Sequence, residues 1–207
     1  MPPDDGPADT SLIEVLERAR TAGFLGPGPV RAHVTHARSF LDALPRDIDL
    51  MVDLGSGGGV PALPLLLDRL QLRGVLVESM RKRAHFLEWA VDTLGLADRV
   101  TVRVERAEVA AHQPDLHRAA DVVTARGFAS PAVTAECAVG FLRVGGRLIV
   151  SEPPSSVGRW PDGPLADLGL GPAERRGSVA VLQFHGPVPG GRTYPRRTNQ
   201  LVKRPLF

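Results

Sequence analysis

The sequence has one cysteine, few aromatic residues and no long apolar run. Aromatic side chains make up 5% of the 207 residues. Cys137 has no partner for an intramolecular disulfide, so we expect a small core residue in a reducing compartment. No stretch of eighteen apolar residues occurs, which argues against a membrane-spanning helix. The first residues lack the basic and apolar regions of a signal peptide, so we expect a cytoplasmic protein.

Net charge is also small, at +2, so the average composition excludes a uniformly basic protein. The distribution is more informative, because the start of the chain is acidic and its end is basic. Three aspartates lie among the first nine residues, and no acid follows residue 192. The basic residues of this end are Arg192, Arg196, Arg197, Lys203 and Arg204.

A glycine-rich loop follows the apolar run at residues 50–54, which contains Asp53. Gly55-Ser56-Gly57-Gly58-Gly59 predicts a tight turn that lets the backbone approach a ligand, and Pro61 can open a helix behind it. A phosphate-binding P-loop would need a lysine and a hydroxyl residue after the last glycine, and these are missing. A dinucleotide fingerprint would need a third glycine where Val60 stands. S-adenosylmethionine has no phosphate, so Asp53 suits it; a turn without any ligand is the remaining alternative.

The second predicted strand, at residues 74–77, ends in Glu78, 25 residues after Asp53. In a doubly wound sheet, an acid at this position accepts hydrogen bonds from the two hydroxyls of a ribose. An ordinary acid at the end of a strand is the alternative. The glycine loop and Glu78 together favour a nucleoside-containing cofactor.

The order of predicted elements divides the chain into four parts. We expect residues 1–10 to be disordered and residues 11–46 to form a small helical cap, with Ser11 capping its first helix. Strands and helices alternate over residues 47–186, which predicts a largely parallel sheet with crossover helices. Residues 187–207 form a basic tail with too many prolines for a helix.

Further along, helices are expected at 80–94 and 133–142, and strands at 100–104, 120–125, 147–151 and 178–185. The turn at 105–108 lies where an adenine would be held, and Arg126 follows the fourth strand on the ligand side of the sheet. Gly145-Gly146 predicts a turn, and residues 153–172 predict a surface excursion. His33 and His36 have a spacing that metals can use, but no acid or cysteine lies near them, so no metal site is expected.

These residues resemble the RsmG (GidB) family, bacterial S-adenosylmethionine-dependent methyltransferases that modify N7 of a guanine in 16S ribosomal RNA. The resemblance covers most of the chain and implies a class I, Rossmann-like fold: a mostly parallel seven-stranded sheet with helices on both faces and an N-terminal helical cap. The motifs that carry it are Asp53-Leu54-Gly55-Ser56-Gly57-Gly58-Gly59 with Pro61 and Pro64, Val77-Glu78 with Lys82-Arg83 and Phe86-Leu87, Arg106-Ala107-Glu108, Asp121-Val122-Val123-Thr124-Ala125-Arg126, Gly145-Gly146-Arg147-Leu148, and Tyr194-Pro195-Arg196-Arg197 with Lys203 and Pro205-Leu206.

The resemblance implies a site that binds S-adenosylmethionine and acts on the small ribosomal subunit. We also expect a monomer. Guanine N7 has a lone pair and no proton, so no general base is expected, and Arg126 is the candidate for positioning the acceptor. The cofactor residues that it implies are Asp53, Gly55, Ser56, Gly57 and Gly59 for the methionine end, Glu78 for the ribose, Ala107 and Glu108 for the adenine, and Arg126; Arg196, Arg197 and Lys203 are candidates for RNA phosphates.

The chain departs from the family pattern in two places. Ser151-Glu152-Pro153 stands where the family usually has a lysine, and Ala22-Gly23-Phe24-Leu25 replaces a tryptophan and an Asn-Leu-Thr segment. An acid near an RNA backbone would weaken binding. Two alternatives therefore remain: a methyltransferase of a small-molecule acceptor, and a module that binds the cofactor without catalysis.

Overall fold

A mixed seven-stranded sheet lies at the centre of the computed structural model, which describes residues 7–155 and 158–207. The strand order is β3-β2-β1-β4-β5-β7-β6, with β1 to β5 parallel and β7 antiparallel to both of its neighbours. This is the sheet that the class I methyltransferase resemblance predicts. The strands are β1 (Leu50–Leu54), β2 (Arg73–Val77), β3 (Val100–Arg103), β4 (Ala120–Ala125), β5 (Leu142–Ser151), β6 (Glu174–Arg176) and β7 (Val179–Gln183).

Helices cover both faces of the sheet, because its central strands are apolar on both sides and must be buried on both. One core lies beneath the first four helices, and the other lies beneath the last four. The helices are α1 (Pro7–Thr21), α2 (Val30–Ala43), α3 (Ala62–Asp68), α4 (Arg81–Thr93), α5 (Ala107–Ala110), α6 (Pro131–Phe141), α7 (Asp162–Asp167) and α8 (Thr198–Lys203). In the described part of the chain, no helix is both long and apolar enough to cross a membrane.

The N-terminal cap begins earlier than the sequence predicts. Helix α1 starts at Pro7, so Ser11 lies inside the helix and does not cap it. Leu12 and Leu16 are buried as the helical spacing predicts. Of the segment predicted to be disordered, residues 7–10 belong to α1, and residues 1–6 lie outside the described residues. The division of the chain into four parts remains a prediction.

The second half of the chain differs most from prediction. Strand β5 begins at Leu142 and runs through the predicted turn, with a shift of register against β4. A Cβ on Gly146 would lie 2.9–3.0 Å from three backbone oxygens, so this close approach requires glycine. The predicted excursion contains α7, which buries Leu165, and β6 was not predicted. The tail contains α8, where no helix was expected, and α8 buries Leu201.

The topology brings the functional candidates to one edge of the sheet. Parallel strands β1, β2, β4 and β5 all end there, and the order reverses between β1 and β4. In open α/β sheets, ligands bind in the crevice at such a switch point. Asp53 and Glu78 come from the first half of the sheet, and Arg126 and Glu152 follow strands of the second half.

Candidate active site

Asp53 lies in β1 and pairs in register with Thr124 of β4. The Thr124 hydroxyl donates a hydrogen bond of 2.6 Å to Asp53 Oδ1, and the Asp53 side chain is buried. Burial raises the pKa of Asp53 from 3.8 to about 6, and the nearby Glu78 adds to this rise; hydrogen bonds from Thr124 and Ser56 oppose it. Burial disfavours the ionised carboxylate of Asp53, and a cationic ligand group would stabilise it.

The glycine loop takes a conformation that side chains rarely adopt. Gly55, Gly57 and Gly59 have φ values of 65°, 54° and 89°. A Cβ on Gly55 would lie 2.7 Å from Phe128 Cδ2, so the Phe128 ring rests directly on the loop. Ser56 donates its hydroxyl hydrogen bond to the Asp53 carbonyl oxygen at 3.1 Å. The loop follows β1 at the edge of the crevice, and its glycines allow a ligand to approach the backbone closely.

The segment at residues 22–25, where the sequence departs from the family pattern, packs against the other side of this loop. A Cβ on Gly58 would lie 2.6 Å from Leu25 Cδ2 and 2.9 Å from the Phe24 carbonyl oxygen. The Phe24 ring contacts the Phe86 ring edge to face, with centroids 5.5 Å apart. This segment thus supports the loop, although it lacks the family's residues.

Glu78 follows β2 and is buried beside the loop. Its Oε2 accepts a hydrogen bond of 3.1 Å from the Gly57 N–H, and its Oε1 accepts one of 2.8 Å from the Met80 N–H. A carboxylate oxygen has two lone-pair directions, so each oxygen keeps acceptor capacity. The carboxylate is thereby oriented to accept two further hydrogen bonds, as the two ribose hydroxyls require.

A cavity of about 240 Å³ lies where the adenine was expected. Ala107 and Glu108 line it, but they form the start of α5 and not the predicted turn. Glu108 is buried and accepts a hydrogen bond of 2.6 Å from Arg106 Nε. Leu201 and Val202 of α8 close the cavity from the tail.

These residues fit S-adenosylmethionine better than a phosphorylated cofactor. The two buried carboxylates, Asp53 and Glu78, would repel a phosphate but would attract an ammonium or sulfonium group. The glycine loop and the Glu78 carboxylate are joined by the hydrogen bond from the Gly57 N–H, and the cavity lined by Glu108 also includes Ser79, the residue after Glu78.

Arg126 follows β4 and is tied to the N-terminal cap through His33 of α2. Arg126 Nη2 lies 2.6 Å from His33 Nδ1, and His33 Nε2 lies 3.2 Å from the Gly26 carbonyl oxygen. An arginine can only donate, so Nδ1 accepts and Nε2 carries the proton. Burial, and then the Arg126 charge, lower the pKa of His33, which keeps the imidazole neutral. From the sequence, His33 is considered only as a metal ligand, and nothing in its local pattern predicts this contact with Arg126.

A second cavity of about 400 Å³ adjoins the first, and Phe128 and Ala129 line both. Arg126, His36 and Glu152 are among its other lining residues. Glu152, the departure from the family lysine, therefore faces the crevice and not the outer surface. A cavity of this size beside the cofactor residues is where an acceptor would bind.

The three predicted RNA-binding residues fall into two groups. Arg196 binds Glu136 through Nε at 2.8 Å and Nη2 at 2.7 Å, and its own backbone N–H donates to the same carboxylate. This ion pair is buried and fixes the tail to α6. Arg197 and Lys203 are exposed. A role for all three residues in binding RNA remains a prediction, as do the individual cofactor contacts.

The two histidines whose spacing a metal site could use have other contacts. His33 binds Arg126, and His36 Nδ1 lies 3.3 Å from the Ser178 hydroxyl. Among residues 7–155 and 158–207, no group of three or more histidine, cysteine or acidic residues is placed to hold a metal ion.

Comparison with known proteins identifies the family. The model of the GidB family, described as rRNA small subunit methyltransferase G, matches residues 30–152. The chain is 34% identical to ribosomal RNA small subunit methyltransferase G of Rubrobacter xylanophilus, over 94% of this chain and 80% of that one. It is 39% identical to the protein of the same name from Geobacillus kaustophilus, over 75% and 69% of the two chains.

Solved structures agree on the fold. An O-methyltransferase family protein from Burkholderia thailandensis superposes with a TM-score of 0.55 and 16% identity, over 76% of this chain and 58% of that one. At this identity the likeness concerns the fold alone. The family match, the relatives and the cofactor crevice together show that this chain belongs to the rRNA small subunit methyltransferase G family and is a methyltransferase that uses S-adenosylmethionine.

Proposed function

We propose that this enzyme methylates N7 of a guanine in 16S ribosomal RNA, as a monomer acting on the small ribosomal subunit in the cytoplasm. One observation carries the proposal: a second cavity, lined by Arg126, opens beside the residues that fit the cofactor. The names of the relatives give the substrate class, a small-subunit ribosomal RNA.

Each cofactor residue has a role in this proposal that its contacts support. Asp53 faces the positively charged end of the methionine part, and the loop from Gly55 to Gly59 supports that part from below. Glu78 accepts hydrogen bonds from the ribose hydroxyls with the capacity that Gly57 and Met80 leave free. The walls at Ala107 and Glu108 enclose the adenine.

The methyl transfer requires the protein mainly to position the base and the cofactor. When bound, S-adenosylmethionine supplies an electrophilic methyl group on a sulfonium. Guanine N7 attacks with its own lone pair, so no residue has to remove a proton. Holding the nitrogen in line with the methyl carbon supplies most of the acceleration, since effective molarities can reach about 10⁵ M or more. In this proposal Arg126 holds the base in that geometry, and its contact with His33 supports this role by fixing the guanidinium.

RNA outside the cavity would bind through the exposed basic residues Arg197 and Lys203. Phosphate contacts dominate the affinity of nucleic-acid-binding proteins, and they require accessible cations. Arg196 supports this surface indirectly, because its ion pair with Glu136 holds the tail in place.

The test is transfer of tritium from labelled S-adenosylmethionine into small ribosomal subunits, or their naked RNA, from cells that lack the enzyme. We expect the label in 7-methylguanosine after nucleoside digestion. The Glu78→Gln variant is the matched control, because it loses the ribose carboxylate and leaves the RNA surface intact. Absence of label, with cofactor binding confirmed by calorimetry, would reject the RNA substrate and favour a small-molecule acceptor.

A further inference from the structure

The second cavity contains a buried acceptor and a buried donor that lack protein partners. Glu152 Oε2 and Arg126 Nη1 are both buried, and neither has a hydrogen-bond partner among the described residues; Nε of Arg159, which also lines this cavity, is a further buried donor without one. Unpaired buried polar atoms are rare, because each costs about 1–3 kcal/mol. A carboxylate oxygen and a guanidinium nitrogen that line one cavity together call for a ligand with a donor edge and an acceptor atom.

Glu152 is held in a fixed orientation. Trp160 Nε1 donates a hydrogen bond of 2.9 Å to Glu152 Oε1, and Arg159 Nε lies 3.6 Å from the same oxygen. The hydrogen bond from Trp160 and the longer ion pair with Arg159, whose Nε makes no hydrogen bond among the described residues, both involve Oε1, which leaves Oε2 for the ligand. The Glu152 side chain is only 1% exposed, so it cannot turn out into water without moving these neighbours.

Arg126 is fixed in the same way from the other side. Its Nη2 binds His33, and Nη1 is left over. The strands before the two residues pair directly, with Ala125 of β4 opposite Val150 of β5. The acceptor and the donor thus extend from adjacent strand ends into one space.

We propose that Glu152 and Arg126 form a guanine-reading site: the Glu152 carboxylate accepts from N1–H and the 2-amino group, and Arg126 donates to O6. This specificity rests on the proposed function and deepens it, because it names how the base is chosen. Guanine is the base that presents two neighbouring donors beside a carbonyl oxygen. Adenine presents an unprotonated N1 at the same edge, which a carboxylate repels.

The arrangement leaves N7 free for the reaction. The Watson–Crick edge binds Glu152, and N7 lies on the other side of O6. Methylation places positive charge on the ring, and the buried carboxylate opposite stabilises that charge. A lysine, as the family usually has here, could not accept from either donor. The departure at Glu152 is therefore a change in how this chain holds the base.

The test compares methylation of one RNA fragment carrying either guanosine or inosine at the target position. Inosine keeps O6, N1–H and N7 but lacks the 2-amino group. Loss of one hydrogen bond to a charged acceptor predicts a decrease in kcat/KM of roughly 10- to 100-fold for the wild-type enzyme. Glu152→Gln should lower activity on guanosine by a similar factor, and its guanosine-to-inosine ratio should fall close to one.

Trp160→Phe is the matched control, because it removes the indole N–H bond to Oε1 and keeps the carboxylate. A purely structural Glu152 would make both variants lose activity with an unchanged guanosine-to-inosine ratio. If wild-type enzyme methylates both fragments equally well, or if Glu152→Gln preserves the wild-type ratio, the inference is wrong.

A binding measurement separates this inference from the proposed function. Titration of the protein, with S-adenosylhomocysteine present, by guanosine should move the NMR signal of the Trp160 indole N–H; inosine should bind about tenfold more weakly. This holds whether or not ribosomal RNA is methylated. A Trp160 signal that does not respond to guanosine, or responds equally to both nucleosides, would overturn the site even in an active methyltransferase.

Discussion

Replacing Asp53 by asparagine should stabilise the free protein while it weakens cofactor binding. Burial, followed by the effect of Glu78, raises the pKa of Asp53 from 3.8 to about 6. The stability that the protonated form contributes is fully present below pH 3.8 and is lost as the pH rises through 6. At about 1.4 kcal/mol per pH unit, the ionised carboxylate costs about 3 kcal/mol at pH 8. Asparagine avoids this cost and can still accept the Thr124 hydrogen bond.

Urea denaturation at several pH values between 4 and 8, without cofactor, measures the effect. The stability difference between Asp53→Asn and wild type should grow from near zero at pH 4 to about 3 kcal/mol at pH 8. Calorimetry should show weaker cofactor binding at pH 8. A variant that is less stable than wild type at pH 8 would refute the argument, since the carboxylate would then be stabilising the free fold.

Asp121 is the matched control on the neighbouring strand. Burial acts to raise its pKa, but hydrogen bonds from the Leu50 and Asp49 N–H groups and from Arg143 outweigh burial and lower it. A lowered pKa means that Asp121 stabilises the fold above its unfolded pKa, and this contribution is lost as the pH falls through the folded value. Asp121→Asn should therefore destabilise the protein at pH 8, opposite in sign to Asp53→Asn.

Three further predictions concern the cofactor crevice and the tail. Glu78→Gln should weaken binding of S-adenosylmethionine about 10- to 100-fold in calorimetry, with an unchanged circular dichroism spectrum; unchanged affinity would exclude Glu78 from the ribose site. Arg196→Met should lower the free energy of unfolding in urea by about 3–5 kcal/mol, and adding Glu136→Leu should restore most of it. Replacing Arg197 and Lys203 by alanine should reduce the slope of log affinity against log salt by about 1.5 in filter binding to ribosomal RNA. An unchanged slope would make both residues part of a solvated tail.

The cofactor end could be predicted because its signals are local in sequence. A strand that ends in Asp53, a run of glycines and a second strand before Glu78 identify the crevice without tertiary information. The mostly parallel seven-stranded sheet follows from the family resemblance and is confirmed by the structure. Strand β6 gave no such signal, because its three residues are exposed and only pairing with β7 defines it.

Helix α8 depends on tertiary contacts that the local sequence of the tail does not show. The tail has many prolines, so its composition argued against a helix. The structure places a short helix there because Leu201 is buried and Arg196 reaches Glu136, 60 residues earlier in the chain. A basic residue near the end of a chain suggests RNA contact, but its partner decides whether the charge is accessible.

The departure at Glu152 shows the same dependence on tertiary structure with a consequence for function. From sequence, an acid in place of a lysine argued against RNA, because an exposed acid repels phosphates. That argument requires the acid to face the nucleic-acid backbone. Glu152 instead is buried between Trp160 and the cavity, where the proposed guanine-reading site would present it to a base edge and not to a phosphate. At that location a carboxylate favours a purine with two donors, so the residue that weakened the RNA assignment becomes the residue that selects its guanine.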